Sequence, residues 1–205
     1  AEENTRESIY NAFRRKETFG TSGPRIKVRF FAGYNFENSN LNDQDLIQEA
    51  YSKNVPMGGD IIQEKGKNPR FLVWAISDPL GAPLQRVQII KGWLADGEQR
   101  EKVFDVACSD GQSVNPLSHR CPDNGAKVNL DDCSISREKG NAEIKTFWQD
   151  PEFSNDQEAF YYARVLENPT CRWSTWDAVR AEEKPRSDIP VTIQERAWSS
   201  PIWIK

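Results

Sequence analysis

The chain has 205 residues, 37% of them hydrophobic and 28% charged, with a formal net charge of −4. That balance excludes a disordered chain and suits a soluble fold with a real core, and the acidic charge argues against non-specific nucleic-acid binding. The longest apolar run, residues 71–76, is far too short to span a bilayer.

Met57 is the only methionine and residue 1 is Ala, so the sequence reads as a piece of a longer or processed polypeptide. Asn4 and Glu7 predict a capping-box start to a first helix. Ile9, Ala12, Phe13 and Lys16 follow at helical spacing, and the helix is expected to end near Lys16. The seven Lys/Arg against four Glu in residues 1–29 read as a solvated helix face. Thr21-Ser22-Gly23-Pro24 is a turn. It marks the expected boundary between a first segment, residues 1–25, and a β domain, residues 26–205.

Residues 27–34 read as a strand. Residues 41–51 read as a short helix capped by Asn42 or Asp43, with Leu46, Ile47, Ala50 and Tyr51 on one face. A turn at residues 56–60 leads to a short strand at 61–63. Residues 70–77, apolar on both alternating faces, fit a central strand. Residues 86–94 and 102–107 form a hairpin through Asp96-Gly97, with a loop longer than the tightest type. Residues 109–140 are a long polar excursion that needs staples to stay ordered. Strands are expected again at 142–148, 160–167 and 202–204, with a surface loop at 178–190. The sum is a mainly β fold: an antiparallel β-sandwich (Ig/fibronectin-like) with an N-terminal helix and one or two short additional helices.

Cys108, Cys121, Cys133 and Cys171 lack the close pairs of a zinc site. Two disulfides and an oxidising compartment, periplasmic or secreted, are expected instead. All three connectivities are open; the preferred one joins Cys121 to Cys133 and Cys108 to Cys171. His119 is the only histidine and reads as structural, so a His-rich metal centre made by this chain alone is ruled out. Asp43-Gln44-Asp45 and Asp131-Asp132 lack calcium-loop spacing and read as a helix cap and a solvated turn. Thr21-Ser22-Gly23-Pro24-Arg25 has the small residues and guanidinium of an anion cradle, a pattern shared by many ordinary turns. Phosphate-loop, dinucleotide and nucleophile-elbow motifs do not occur. Trp173 and Trp176 follow Arg172 just after a strand. They either stack on a sugar ring or close over the core, and their three-residue spacing favours packing.

The stretches Thr5-Arg6-Glu7-Ser8-Ile9-Tyr10, Arg14-Arg15-Lys16-Glu17-Thr18 and Thr21-Ser22-Gly23-Pro24-Arg25 resemble the end of a catalytic domain in a widespread bacterial family of unknown function. That family is related to the polymerase-and-histidinol-phosphatase (PHP)-like metal-dependent hydrolases. The likeness continues through Pro56-Met57-Gly58-Gly59-Asp60, Cys171-Arg172-Trp173-Ser174-Thr175-Trp176-Asp177 and Gln194-Glu195-Arg196-Ala197-Trp198, and covers essentially the whole chain. The resemblance implies a barrel-like N-terminal domain whose His and Asp residues bind divalent metals upstream of anything present here. It carries over no catalytic residue and no metal ligand.

On this reading residues 1–25 are the last helix and strand of that catalytic domain, and residues 26–205 are a non-catalytic β domain that braces it or walls its cleft. The chain itself holds no cofactor, and its partner is the upstream domain of the same polypeptide, with no nucleic acid and no membrane span. The alternative is a carbohydrate- or ligand-binding module using exposed Trp. A third reading lets Arg25 or Arg172 grip an anion for the parent's active site.

Overall fold

The computed structural model describes residues 1–36, 39–155 and 157–205. The chain begins with helix α1 (Arg6–Arg14), strands β1 (Phe19–Thr21) and β2 (Lys27–Gly33), and helix α2 (Leu46–Lys53). Strands β3 (Val55–Pro56), β4 (Asp60–Ile61), β5 (Arg70–Ile76), β6 (Leu84–Ala95), β7 (Glu98–Cys108), β8 (Glu143–Gln149), β9 (Ala159–Glu167) and β10 (Thr170–Cys171) follow. Helix α3 (Trp173–Arg180) precedes β11 (Thr192–Ile193), β12 (Arg196–Ser199) and β13 (Ile202–Ile204). The fold is mainly β with antiparallel-rich sheets and three helices among the described residues.

The larger sheet is built on β9. One edge of β9 pairs with β6, and the other pairs with β12 and then β13, all antiparallel. β7 extends the sheet beyond β6, while β1 and β4 complete the far side, β4 running parallel to β13. The smaller sheet is antiparallel in the order β3-β2-β5-β8. Alternation along β9 sends Tyr161, Ala163 and Val165 inward, into one core with Phe30, Phe71, Val73, Val87 and Ile89. Phe31 and Leu72 leave the smaller sheet on its other face and meet Phe36, Leu46 and Ala50, so α2 covers that face. β5 is thus buried on both sides, as its unbroken apolar run predicts.

A charged pair sits inside this core. Lys91 of β6 and Asp150, just past β8, are both buried, with Nζ 2.7 Å from Oδ2. The Tyr161 hydroxyl donates to the same oxygen at 2.8 Å, and the Glu152 backbone N–H donates to Oδ1 at 2.8 Å. Lys91 also donates to the Glu152 carbonyl at 2.9 Å and lies 5.2 Å from the centre of the Trp93 ring. Burial, then the Asp150 charge, push the Tyr161 hydroxyl far above its usual range.

Several sequence expectations shift. Thr5, not Asn4, caps α1, its hydroxyl accepting the Ser8 N–H at 3.2 Å. α2 starts at Leu46, with Asp45 at the cap position and no side-chain cap bond. The β6–β7 hairpin closes with the tightest turn: Asp96 and Gly97 both hold positive φ, 54° and 77°. Two successive left-handed residues make the type I′ geometry. The polar residues 98–101 hid the rest of β7, because that end of the hairpin overhangs the sheet and is exposed. β1, β10, β11 and β12 are too short and polar to show as alternating runs. α3 takes up residues 178–180 of the expected loop.

The disulfides also differ from the preferred pairing: they are Cys108–Cys121 and Cys133–Cys171. After β7 the chain doubles back through a bridge between Asn115 and Arg120. The buried Asp105 carboxylate then accepts the Cys121 N–H at 2.7 Å, which brings Cys121 beside Cys108. Cys133 ties the rest of the excursion to β10. Sequence separations of 13 and 38 residues correspond to about 3 and 4 kcal/mol of lost unfolded-chain entropy. Two disulfides fit an extracellular or periplasmic setting. Among the described residues no helix is long and apolar enough to cross a membrane.

Lys91→Met leaves Asp150 charged and buried without its cation, so it is expected to cost about 3–5 kcal/mol in urea unfolding. A loss below about 1 kcal/mol, the usual worth of a surface pair, would contradict this account of the core.

Candidate functional site

The first segment, residues 1–25, is largely exposed along α1 and the turn before β2. α1 is fixed at its C-terminal end. The Glu17 N–H donates to the Ala12 carbonyl at 3.0 Å, and Tyr51 of α2 donates to the Glu17 carboxylate at 2.5 Å. Desolvation and the Glu17 charge push the Tyr51 hydroxyl up to about 12. Gly58, at φ +92°, lies so close that a Cβ there would stand 2.4 Å from the Lys16 carbonyl oxygen. The Ser200 N–H then donates to the Thr18 carbonyl, and β1 pairs with β12. Only Ala12 of α1 is buried against the body. Ile9, Tyr10 and Phe13 are exposed, Tyr10 by 60% and Phe13 by 65%.

The turn at Thr21 to Arg25 is committed to the body. The Ser22 N–H donates to the Arg196 carbonyl, its hydroxyl accepts the Arg196 N–H and donates to Glu195, and the Arg25 N–H donates to Asp78 at 2.7 Å. A carboxylate of the chain therefore already takes one donor of the expected anion cradle. The N–H groups of Arg25 and Leu80 hold Asp78 below its ordinary carboxylate range. The Arg25 side chain is exposed.

Arg172, Trp173 and Trp176 are brought together at the start of α3; Arg25 lies elsewhere, on the turn before β2. Arg172 caps α3 and spends its Nε–H on the Pro190 carbonyl at 3.1 Å. α3 is held down by Thr175, which is buried and donates to the Val191 carbonyl at 2.7 Å. The packing expectation fails for Trp173, which is 72% exposed. Trp176 carries the Arg180 guanidinium 5.4 Å from its ring centre.

His119 sits in a left-handed conformation (φ 52°) with its ring edge-on to Phe104 at 5.0 Å, a packing role. Asp43 accepts the Asn40 N–H and Asp132 accepts the Ser134 N–H, both local turn bonds. Among the described residues no cluster of three His, Cys, Asp or Glu could hold a metal ion.

Two features escaped sequence reading. One is the set of aromatic side chains on the outer face of the larger sheet, Phe160, Tyr162 and Trp203; the alternation of Phe160 and Tyr162 was the available signal. The other is Glu167, at the end of β9. It is 1% exposed and accepts the Ala82 N–H at 3.3 Å, while its Oε1 has no partner among the described residues. Burial, with Asp78 and Glu195 nearby, pushes its carboxyl up to about 7. Such a value suits acid–base chemistry, but burial keeps this group from a substrate.

A family model described as "Protein of unknown function (DUF3604)" matches residues 1–205. No curated protein and no solved structure matches the chain.

Glu167 carries a pH signature. Its folded value lies above the ordinary 4.5, so its protonated form supports the fold below about pH 4.5, and that support is lost as pH rises through 7. Urea unfolding of Glu167→Gln is expected to gain on the parent chain by up to about 3 kcal/mol between pH 4.5 and 8. A difference between the two proteins that stays constant across that range would contradict the assignment.

Proposed function

We propose, on the premise that the chain belongs to the DUF3604 family of proteins of unknown function, that it is the non-catalytic C-terminal β domain of an exported, PHP-like metal-dependent hydrolase. Its work is to brace a phosphoesterase-like catalytic domain or to wall one side of its cleft. The observation that carries this reading is α1. The helix is capped, and residues 15–18 just past it are held to α2 and to the loop around Gly58 before the chain enters the larger sheet through β1. Yet among the described residues nothing covers the face bearing Ile9, Tyr10 and Phe13. A fixed helix with an uncovered apolar stripe is a docking element, and the occupant we assign is the catalytic domain of the same polypeptide.

The division at residues 1–25 and 26–205 belongs to this proposal, with β1 and the turn at Thr21 to Arg25 as the seam. So do the divalent metal of the upstream domain and the Ig/fibronectin-like description of the two sheets. Arg25, exposed at the seam, is the better placed of the two arginines to face a substrate. Arg172 is engaged with Pro190 at the start of α3.

In the full-length polypeptide, Ile9→Asp combined with Phe13→Asp is expected to speed proteolytic cutting near residues 17–26 and to lower metal-dependent phosphoester hydrolysis. The isolated 205-residue chain with the same changes should unfold at nearly the parent's urea midpoint, since both side chains are already exposed. Unchanged cutting and hydrolysis in the full-length variant would refute the docking role. Phosphoester hydrolysis by the 205-residue chain alone with added Mn²⁺ would refute the non-catalytic one.

A further inference from the structure

The outer face of the larger sheet carries a cross-strand row that packing within the chain does not account for. Register places Glu101 of β7, Gly92 of β6, Phe160 of β9, Trp203 of β13 and Asp60 of β4 side by side. The tip of the Phe160 ring occupies the space over Gly92: a Cβ at that position would stand 2.2 Å from its Cζ. Trp203 is tilted against Phe160 with ring centres 5.1 Å apart, and the Tyr162 ring lies 6.5 Å from Phe160, within 14° of parallel. Trp203 is 41% exposed and Leu94, at the overhanging hairpin tip, 65%. Both line a groove of about 1080 Å³ between that tip and the end of β13, slightly larger than the usual range for ligand clefts.

The rim decides the class of ligand. Its cations are already neutralised: Arg100 pairs with Glu98 and Lys205 with Asp60, each at 2.7 Å. Asp96, Gln99, Glu101, Gln157 and Glu158 line the same groove, and none of their side chains makes a hydrogen bond or ion pair among the described residues. The unspent groups are therefore three carboxylates and two amides, mostly acceptors. A polyphosphate, a nucleic acid or an anionic lipid surface would meet unpaired negative charge here. A hydroxyl-rich neutral ligand would find acceptors for its O–H groups at the rim, and ring faces below whose negative quadrupole attracts C–H edges.

We propose that this groove binds a neutral oligosaccharide, with pyranose rings lying on Trp203 and Phe160 and their hydroxyls donating to Glu101, Glu158 and Gln99. The site is separate from Trp173 and Trp176 and uses β6, β7, β9 and β13, which the α1 docking surface does not. The two readings therefore fail independently.

The test is affinity electrophoresis of the 205-residue chain in gels containing hydroxyethylcellulose, laminarin, xylan, galactomannan or soluble starch, with sedimentation velocity alongside. At least one polysaccharide is expected to retard the chain. Trp203→Ala should weaken that binding roughly tenfold, Trp203→Phe should keep most of it, and Trp173→Ala should leave it intact. Should Trp203→Ala fail to fold by circular dichroism, Leu94→Ser and Gln99→Ala at the exposed tip give the same readout. Retardation by none of the five polymers would overturn the proposal. So would binding that survives Trp203→Ala or the tip changes, or a dimer abolished by Trp203→Ala, which would make a second copy the occupant.

Discussion

Lys91 of β6, Asp150 just past β8 and Tyr161 of β9 join across the two sheets, and they do so in the interior, where a mispaired charge is most expensive. Side chains on a strand alternate in direction, so sliding β6 by one residue would take Lys91 out of the core and turn Gly92 in. Asp150 would then be left buried and charged. The same slip on β9 would bring Phe160 inward and expose Tyr161. The buried carboxylate therefore helps to fix which faces of β6 and β9 look outward, and with them the row of Gly92, Phe160 and Trp203. Core packing on Val87, Ile89, Ala163 and Val165 acts in the same direction, but hydrophobic side chains tolerate rearrangement that a paired charge does not.

The excursion between β7 and β8 is held by different means. It has little apolar core of its own, and its order comes from the two disulfides and a polar network. Asn124, buried, donates to the Asn168 side-chain oxygen at 2.9 Å and to Asp110 at 3.1 Å, and Asp110 accepts the Gly140 N–H at 2.8 Å. Asn168 in turn donates to the Lys139 carbonyl, also at 2.8 Å. Each residue supplies the partner that the next would lack, which is how buried polar groups are made affordable away from water. The result is a fixed flank beside β6, β7 and β9 rather than a floppy insertion.

What the sequence revealed follows from how local each signal is. β5 and β9 were legible because long apolar or alternating runs reflect burial on both faces or on one. The β6–β7 hairpin was legible from Asp96-Gly97, but its full length was not, because the overhanging tip has no buried face to impose alternation. The disulfide count followed from four cysteines in a polar chain. Their pairing depended on the Asp105 carboxylate capturing the Cys121 N–H, a contact between side chain and loop that spacing does not encode. The apolar stripe of α1 was visible as Ile9, Ala12 and Phe13. That only Ala12 would be covered was not, because it depends on where β1 joins the larger sheet. Trp173 shows the opposite error: helical spacing was right, and the inference that it closes over the core was not.

The proposed docking role turns on α1 being held at its C-terminal end with its apolar stripe uncovered. Hydroxyl-radical footprinting of Tyr10 and Phe13, in the 205-residue chain and in the native full-length polypeptide, tests this most directly. Strong protection of both rings in the full-length protein, against ready oxidation in the shorter chain, is the predicted result. Equal oxidation of Tyr10 and Phe13 in the two would contradict it.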